Sequence, residues 1–271
     1  MKQRLDILLL EKGLVSSREK AKRLINEGVV FTDGHCRNKA GILIDTEAEI
    51  EIKENAYIYV SRGGLKLEKA LKLFEIDLNH KICMDIGAST GGFTDCMLKS
   101  GAAKVYAIDV GTDQLDPVLR KDPRVISMEN TNIRHLKAED IADVPEFSGI
   151  DVSFISLEKV LPAVTGLLSE EGRVMALIKP QFEAGKNKVG KNGVVKDPAV
   201  HVDVISTIIQ LSLSLRLYVL GLSFSPIKGP SGNIEYLIYL RKARDGDILS
   251  EDEVCKRIDI RSIVKESHES L

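Results

Sequence analysis

The sequence has no tryptophan, and aromatic residues make up only 5% of its 271 residues. It also lacks paired cysteines and clustered histidines. The four cysteines lie far apart and contain no C-x-x-C pair, which excludes a disulfide framework or zinc site and is typical of reduced intracellular proteins. They are Cys36, Cys83, Cys96 and Cys255. The histidines, which show no ligand spacing, are His35, His80, His135, His201 and His268. We therefore expect a protein without a bound metal.

Charge of one sign and long apolar runs are also missing. The chain has 38 Lys and Arg against 40 Asp and Glu, a formal net charge of −2. This balance excludes a uniformly basic nucleic-acid coat but permits a locally basic face. The start of the chain shows no pattern of a signal peptide, and the most apolar long stretch, residues 208–224, contains Gln210 and Arg216. It is too polar to span a bilayer, so the expected location is cytoplasmic.

The first sixty residues predict a small separate unit of helices followed by strands. Leucines at positions 5, 8 and 9 have helical spacing, and Gly13 ends that helix. Ser16 to Glu19 has the S-x-x-E form of a capping box, and the helix that it opens ends at Gly28. Asp33-Gly34 predicts a hairpin turn, and residues 48–52 alternate as a strand does.

Basic charge concentrates in the first part of this unit. Residues 1–39 hold nine Lys and Arg against five acids, a local charge of +4, whereas residues 40–56 hold five acids against one lysine. One interpretation is a face that contacts nucleic-acid phosphates. The alternative is an ordinary solvated helix surface.

The order of residues in this unit resembles the S4 RNA-binding domain. The resemblance is carried by Arg4-Leu5-Asp6, Ser17-Arg18, Ala21, Ile25, Gly28, Val30 and Gly34. It implies that Arg18, Lys22 and Arg37 face RNA.

From residue 61 the chain predicts an α/β domain. The predicted strands are 82–86, 105–110, 124–128, 150–155 and 174–178, then 217–224 and 234–241. Helical patterns cover residues 61–74, 93–100, 157–168 and 199–213. This alternation predicts a mostly parallel sheet covered on both faces. A short loop joins the last two strands, so the final strand is expected to be antiparallel.

A glycine-rich turn lies between the first predicted strand of this domain and the next helix. Such a turn lets a ligand approach the backbone closely, and Asp109 ends the second strand, where an acid can bind ribose hydroxyls. The turn has neither the Walker pattern nor G-x-G-x-x-G. It resembles the S-adenosylmethionine site of class I methyltransferases; the alternative is a purely structural turn. The predicted cofactor-binding residues are Asp85, Gly87, Ser89, Gly91, Gly92, Phe93 and Asp109.

Four charged residues fall near the ends of predicted elements: Lys66, Asp151, Lys179 and Glu235. Because ligands bind at the carboxyl edge of such sheets, we expect these side chains to converge there. Removing the proton of a ribose 2′-hydroxyl requires a base, and a lysine serves only when its amine is neutral.

Beyond the S4-like unit, the chain contains the motifs V-S-R-G-G-x-K-L, D-I-G-A-S-T-G-G-F-T-D, D-V-S-F-I-S-L, I-K-P-Q-F-E and S-G-N-I-E-Y. Together with that unit they resemble the TlyA family, whose members are often labelled haemolysins and are related to the FtsJ group of RNA 2′-O-methyltransferases. The resemblance implies 2′-O-methylation of cytidine in ribosomal RNA or ribosomal subunits, with S-adenosylmethionine as cofactor. It also implies a catalytic tetrad of Lys66, Asp151, Lys179 and Glu235, with Lys179 as the base.

The same resemblance sets the expected domains and one departure. We expect an S4-like domain at residues 1–60, an FtsJ-like class I, Rossmann-like methyltransferase domain at 61–244, and a charged tail at 245–271 with no assigned partner. The linker, Tyr57-Ile58-Tyr59-Val60, lacks the arginine-and-tryptophan form of some members. The resemblance therefore does not extend to a role of this linker in coupling the two domains.

The segment 185–193 contains three lysines and no acid. We interpret it as a basic loop that closes over RNA through Lys186, Lys188 and Lys191; the alternative is a solvated surface loop. Two other functions compete with the methyltransferase. A membrane-active cytolysin would need an insertion segment, which the sequence does not show. A non-catalytic RNA-binding assembly factor would not need all four tetrad positions.

Overall fold

The computed structural model describes residues 2–15, 17–26, 28–52 and 59–271. The chain divides into two compact units, Met1–Arg62 and Gly63–Leu271. Ser16, the first residue of the predicted capping box, and linker residues 57 and 58 lie outside the described residues.

The N-terminal unit packs two helices against short strands. Its helices are α1 (Leu5–Glu11) and α2 (Arg18–Asn26), and its strands are β1 (Lys2–Arg4), β2 (Val30–Thr32), β3 (His35–Arg37), β4 (Leu43–Asp45) and β5 (Ile50–Ile52). β1 pairs with β4, and β2 lies between β3 and β5, all antiparallel. Leu5, Leu9, Ala21 and Ile25 are fully buried between the helices and strands, as the helical spacing predicts. β1 and β4, which pair with each other, were not predicted.

The second unit is built on a seven-stranded sheet. Its strands are β6 (Ile82–Ile86), β7 (Lys104–Ile108), β8 (Val125–Met128), β9 (Phe147–Ile150), β10 (Arg173–Ile178), β11 (Leu217–Phe224) and β12 (Tyr236–Lys242). Their order across the sheet is β11-β12-β10-β9-β6-β7-β8. β12 runs antiparallel to both its neighbours, while the other pairings are parallel. The prediction of an α/β sheet with an antiparallel last strand is confirmed.

Helices cover both faces of this sheet. They are α3 (Gly63–Leu73), α4 (Gly92–Lys99), α5 (Pro117–Arg120), α6 (Leu157–Leu167), α7 (Pro180–Glu183), α8 (Pro198–Ser214), α9 (Glu251–Arg257) and α10 (Ile260–Ser270). One face packs against α3 and α4, where Phe74 stacks on Tyr239 with ring centroids 5.5 Å apart. The other face packs against α6, α8 and α10. No helix in the described ranges is long and apolar enough to cross a membrane.

Two segments differ from the sequence prediction. The strand predicted at 150–155 ends at Ile150, and residues 151–156 form a loop. Val152, Phe154 and Ile155 supplied the apolar pattern of a strand, but they line a cavity instead. The charged tail, which had no predicted partner, folds as α9 and α10. Ile260 and Val264, four residues apart, are buried in the core on the α8 face.

Candidate active site

The topology of the sheet brings the four predicted tetrad residues to one edge. Asp151 follows β9 and Lys179 follows β10, so both lie at the carboxyl edge. β12 runs the opposite way and pairs Tyr236 with Ile178, which places Glu235 beside Lys179. Lys66 comes from α3, which packs against β12. This edge is also where the strand order changes direction between β6 and β9, the position at which α/β sheets bind ligands.

The four side chains form one connected cluster. The Lys66 Nζ lies 2.7 Å from Glu235 Oε2 and 3.4 Å from Asp151 Oδ2. The Lys179 Nζ lies 2.6 Å from Asp151 Oδ1 and donates a hydrogen bond of 3.2 Å to Ser153 Oγ. Asp151 therefore bridges two amines. The side chains of Lys66 and Lys179 are each 8% exposed, and that of Glu235 is 1% exposed.

Burial and charge act in opposite directions on this cluster. Burial lowers the pKa of Lys66, but the negative charges of Asp151 and Glu235 outweigh it and raise that pKa above its usual range. Burial raises the pKa of Asp151, but Lys66 and Lys179 outweigh it and hold that pKa below its usual range. Lys66 is thus held as a cation and Asp151 as an anion, a permanent pair beside Lys179.

A cavity of about 460 Å³ opens beside the cluster. Gly87 lies in its wall with φ at +82°, and a Cβ there would come within 2.6 Å of the Asp151 carbonyl oxygen. Only glycine fits this approach of the two strand ends. Asp109 also lines the cavity, and its carboxylate accepts hydrogen bonds from the backbone amides of Ser89 at 2.8 Å and Gly111 at 2.7 Å. These bonds fix the carboxylate at the cavity wall.

The predicted cofactor residues separate into two groups. Gly87, Ser89 and Asp109 line the cavity. The other four do not appear in its wall: Asp85, Gly91, Gly92 and Phe93. Gly91 has φ at +94° and starts α4, and a Cβ there would meet the packed side chains of Leu115 and Leu119. Its structural role is the tight turn, so its assignment to cofactor binding stays a prediction.

Asp85 is buried within β6. Burial raises the pKa of its carboxyl group to about 7, although Thr94 donates to Oδ2 from its backbone amide at 2.8 Å and from its hydroxyl at 2.6 Å. Within the described part of the chain, Oδ1 has no hydrogen-bond partner. Asp85 therefore ties β6 to α4 and keeps an open acceptor below the glycine-rich turn.

The structure adds an aromatic pair that the sequence analysis did not identify. The ring of Phe154 is 91% exposed and lies 5.1 Å from that of Phe182. Phe182 also lies 5.9 Å from the Lys179 Nζ. Both residues belong to quoted motifs, D-V-S-F-I-S-L and K-P-Q-F-E, and follow strands that end at the site. Their position directly after these strands could have indicated a role in the site, whereas their apolar character could not.

The predicted RNA-facing residues are partly engaged within the protein. Arg18 donates to the fully buried carboxylate of Asp6 at 3.0 Å, and Arg37 donates to Thr32 Oγ1. Lys22 is exposed. Asp6 also receives two hydrogen bonds from Arg4, at 2.9 and 3.1 Å. Arg4 and Arg18 are therefore fixed side by side on one acid, and the contact of Arg18, Lys22 and Arg37 with RNA stays a prediction.

The basic loop is ordered by contacts at its end. Lys188 pairs with Asp203 at 3.1 Å, and Lys191 is exposed. The side chain of Lys186 lies outside the described part. The buried side chain of Asn233 accepts from the Val195 amide at 3.0 Å and donates to the Gly193 carbonyl at 2.9 Å. The loop thus returns to the segment that carries Glu235, and its role in closing over RNA stays a prediction.

Among the described side chains, no group of three or more His, Cys, Asp or Glu is arranged to hold a metal ion. The site therefore combines a buried cluster of charged side chains with an adjoining cavity.

The FtsJ-like methyltransferase family matches residues 59–242, and the S4 domain family matches residues 3–50. The fold and the site therefore define a methyltransferase of the FtsJ-like class that carries an S4 domain.

Among similar proteins, YqxC of Bacillus subtilis is 48% identical over 274 residues, which cover 100% of this chain and 95% of YqxC. The Mycobacterium tuberculosis 16S/23S rRNA (cytidine-2′-O)-methyltransferase TlyA is 42% identical over 243 residues, which cover 89% of this chain and 91% of TlyA. The chain belongs to the TlyA family. A solved structure from Streptococcus thermophilus, whose name includes the word hemolysin, is 44% identical, with a TM-score of 0.77 over 99% of this chain and 96% of that one.

Proposed function

We propose that the protein transfers a methyl group from S-adenosylmethionine to the 2′-hydroxyl of a cytidine in ribosomal RNA. The observation that carries the proposal is the pair of buried lysine amines, Lys66 and Lys179, bridged by Asp151 beside a cavity. Burying charged groups is costly, so an ion-pair cluster of this kind at the carboxyl edge of the sheet, beside a cavity, is typical of a catalytic site.

The cavity fits the proposed cofactor in its chemistry. The Asp109 carboxylate still has acceptor capacity for a ribose diol, and Ile108, Val110 and Ile133 supply apolar wall for a purine ring. Gly87 lets the end of β6 approach the backbone of Asp151, so both strand ends line the cavity. The bound cofactor would supply a methyl group on a positively charged sulfur. The residues of this chain then have to hold the ribose oxygen in line and remove its proton.

We assign proton removal to Lys179. Its Nζ is fixed at two points, by Asp151 and Ser153, and only a neutral amine at that position can accept the 2′-proton. Lys66, which is paired with Glu235, contacts Asp151 from the other side. Methyl transfer to the ribose oxygen would release the hydroxyl proton, and the Lys179 Nζ is the group of this chain placed to accept it. Near-attack placement of this kind contributes roughly 7–11 kcal/mol at its limit.

Two features support RNA as the substrate. The S4 unit presents Arg4 and Arg18, fixed on Asp6, as a basic pair that could contact phosphates. At the site, Phe154 exposes a nearly bare ring beside the tetrad, and base–aromatic stacking contributes about 1–3 kcal/mol. The related Mycobacterium tuberculosis protein TlyA is a 16S/23S rRNA (cytidine-2′-O)-methyltransferase, and we propose the same nucleotide for this chain.

The test is transfer of a labelled methyl group to ribosomal subunits, followed by digestion of the RNA to nucleosides. The expected product is 2′-O-methylcytidine. Asp151→Asn should abolish transfer, whereas Asp245→Asn, a surface change of the same kind, should leave it unchanged. Label on a base, on another ribose or on protein would refute the proposed product, and an active Asp151→Asn variant would refute the tetrad.

A further inference from the structure

Glu183 contacts the site from outside the tetrad. It is the last residue of α7, four positions after Lys179, and its Oε1 accepts a hydrogen bond of 2.9 Å from the backbone amide of Leu157. Leu157 is the first residue of α6. The first amides of a helix have no partner within the helix, and a carboxylate is favoured there by the helix dipole. Glu183 thus caps a helix that follows a different strand.

This contact closes the loop that carries Asp151 and Ser153. The loop 151–156 runs from Asp151 to the α6 N-cap, Ser156. Its first contact with the segment after β10 is the pair of Lys179 and Asp151 at 2.6 Å, and its second is the pair of rings of Phe154 and Phe182. The Glu183 bond to Leu157 is the third, at the far end. Lys179 also donates to Ser153, so the two segments are joined along the whole loop.

The loop needs such support because its backbone is strained. Phe154 has φ at +62°, in the left-handed region, which costs a bulky residue on the order of 1–3 kcal/mol. Such a conformation persists only where surrounding contacts impose it. The Ser156 hydroxyl accepts a hydrogen bond of 3.1 Å from the Glu158 amide and adds to the restraint at this end of the loop. Without the Glu183 cap the loop is free to relax, and Asp151 and Ser153 move with it.

We infer that Glu183 is a positioning residue for methyl transfer: by capping α6 it holds the strained 151–156 loop in place and so sets the distance between Asp151 and Lys179. This inference rests on the proposed function. Glu183 differs from the tetrad residues because its carboxylate acts only through the loop.

The hydrogen bond and the charge can be separated by substitution. Glu183→Gln keeps the side-chain length and an oxygen acceptor but removes the charge. Glu183→Asp keeps the charge but shortens the side chain by one methylene, so the carboxylate no longer reaches the Leu157 amide. Glu183→Ala removes both. The matched control is Glu158→Ala, which removes an exposed carboxylate from the first turn of the same helix.

The measurement is the single-turnover rate on ribosomal RNA with saturating cofactor, together with the dissociation constants of cofactor and RNA. A misplacement of about 1 Å can cost on the order of 10²-fold in rate, so Glu183→Ala should lose roughly that factor. Glu183→Asp should lose nearly as much, and Glu183→Gln should keep most of the wild-type rate. Both dissociation constants should stay within about twofold, and Glu158→Ala should match the wild type.

The outcomes distinguish failure of the proposed function from failure of the positioning role of Glu183. Absence of transfer by the wild type refutes the proposed function. Wild-type transfer with an unchanged single-turnover rate in Glu183→Ala overturns the positioning role, as does a loss that only follows weaker cofactor binding. If Glu183→Ala does not fold, Glu183→Asp and Glu183→Gln decide: a faster Asp variant would mean that charge, not the loop, matters.

Discussion

Replacement of Lys179 by arginine separates proton transfer from ion pairing. The Lys179 Nζ lies 2.6 Å from Asp151 Oδ1 in a side chain that is 8% exposed. Arginine keeps a positive charge next to Asp151, but a guanidinium stays protonated in proteins and cannot accept the 2′-proton. Loss of a general base costs about 10²–10⁴-fold. Lys179→Arg should therefore lose at least 10²-fold in rate while its fold and its cofactor affinity remain close to wild type.

Lys179→Ala adds a second loss. Removing one partner of a buried ion pair costs roughly 3–5 kcal/mol, and here Asp151 keeps Lys66 at 3.4 Å, so the lower end is expected. The alanine variant should be both slower and less stable to heat than the arginine variant. The assay is single-turnover methylation of ribosomal RNA at saturating cofactor, with a thermal melt of each variant. If Lys179→Arg kept more than about a tenth of the wild-type rate, the base role would be refuted.

Three further predictions concern other parts of the molecule. Asp109→Ala should weaken binding of S-adenosylmethionine in calorimetry, and unchanged affinity would remove Asp109 from the cofactor site. Reversing the charges of Arg18 and Lys22 should weaken RNA binding and make its salt dependence shallower, without altering cofactor affinity. Normal RNA affinity in this double variant would mean that the basic face of the S4 unit is only a solvated surface. The hydrogen bond from Arg4, helped by Arg18, lowers the pKa of Asp6 to about 2. The ionised carboxylate therefore stabilises the fold at pH values above its unfolded pKa of about 4, and this contribution is lost as the pH falls towards 2. Melting curves of wild type and Asp6→Asn should therefore differ at pH 6 and converge near pH 2, and a difference that is constant with pH would contradict this.

The sequence predicted the elements of the sheet better than the loops between them. Alternating apolar strands and helices are governed by burial, which a periodic pattern records, and the short connection before β12 correctly indicated an antiparallel strand. The convergence of Asp151 and Lys179 could be predicted because parallel strands end at one edge, whereas the tetrad as a catalytic set was implied by the resemblance to the TlyA family. The loop 151–156 could not, because its apolar residues have the same pattern whether they enter a sheet or line a cavity. The Glu183 cap joins residues 26 positions apart through a backbone amide, a contact that no side-chain pattern records.

The antiparallel course of β12 has a consequence for when the protein becomes competent during synthesis. Because Glu235 reaches Lys66 across 169 positions of the chain, the cluster closes only after the last strand has entered the sheet between β10 and β11. A nascent chain that has folded β6 to β10 already has the cavity wall and the Lys179–Asp151 pair, but Lys66 still lacks its nearer partner. Incomplete chains are therefore poorly equipped to modify the RNA of the ribosome that is making them.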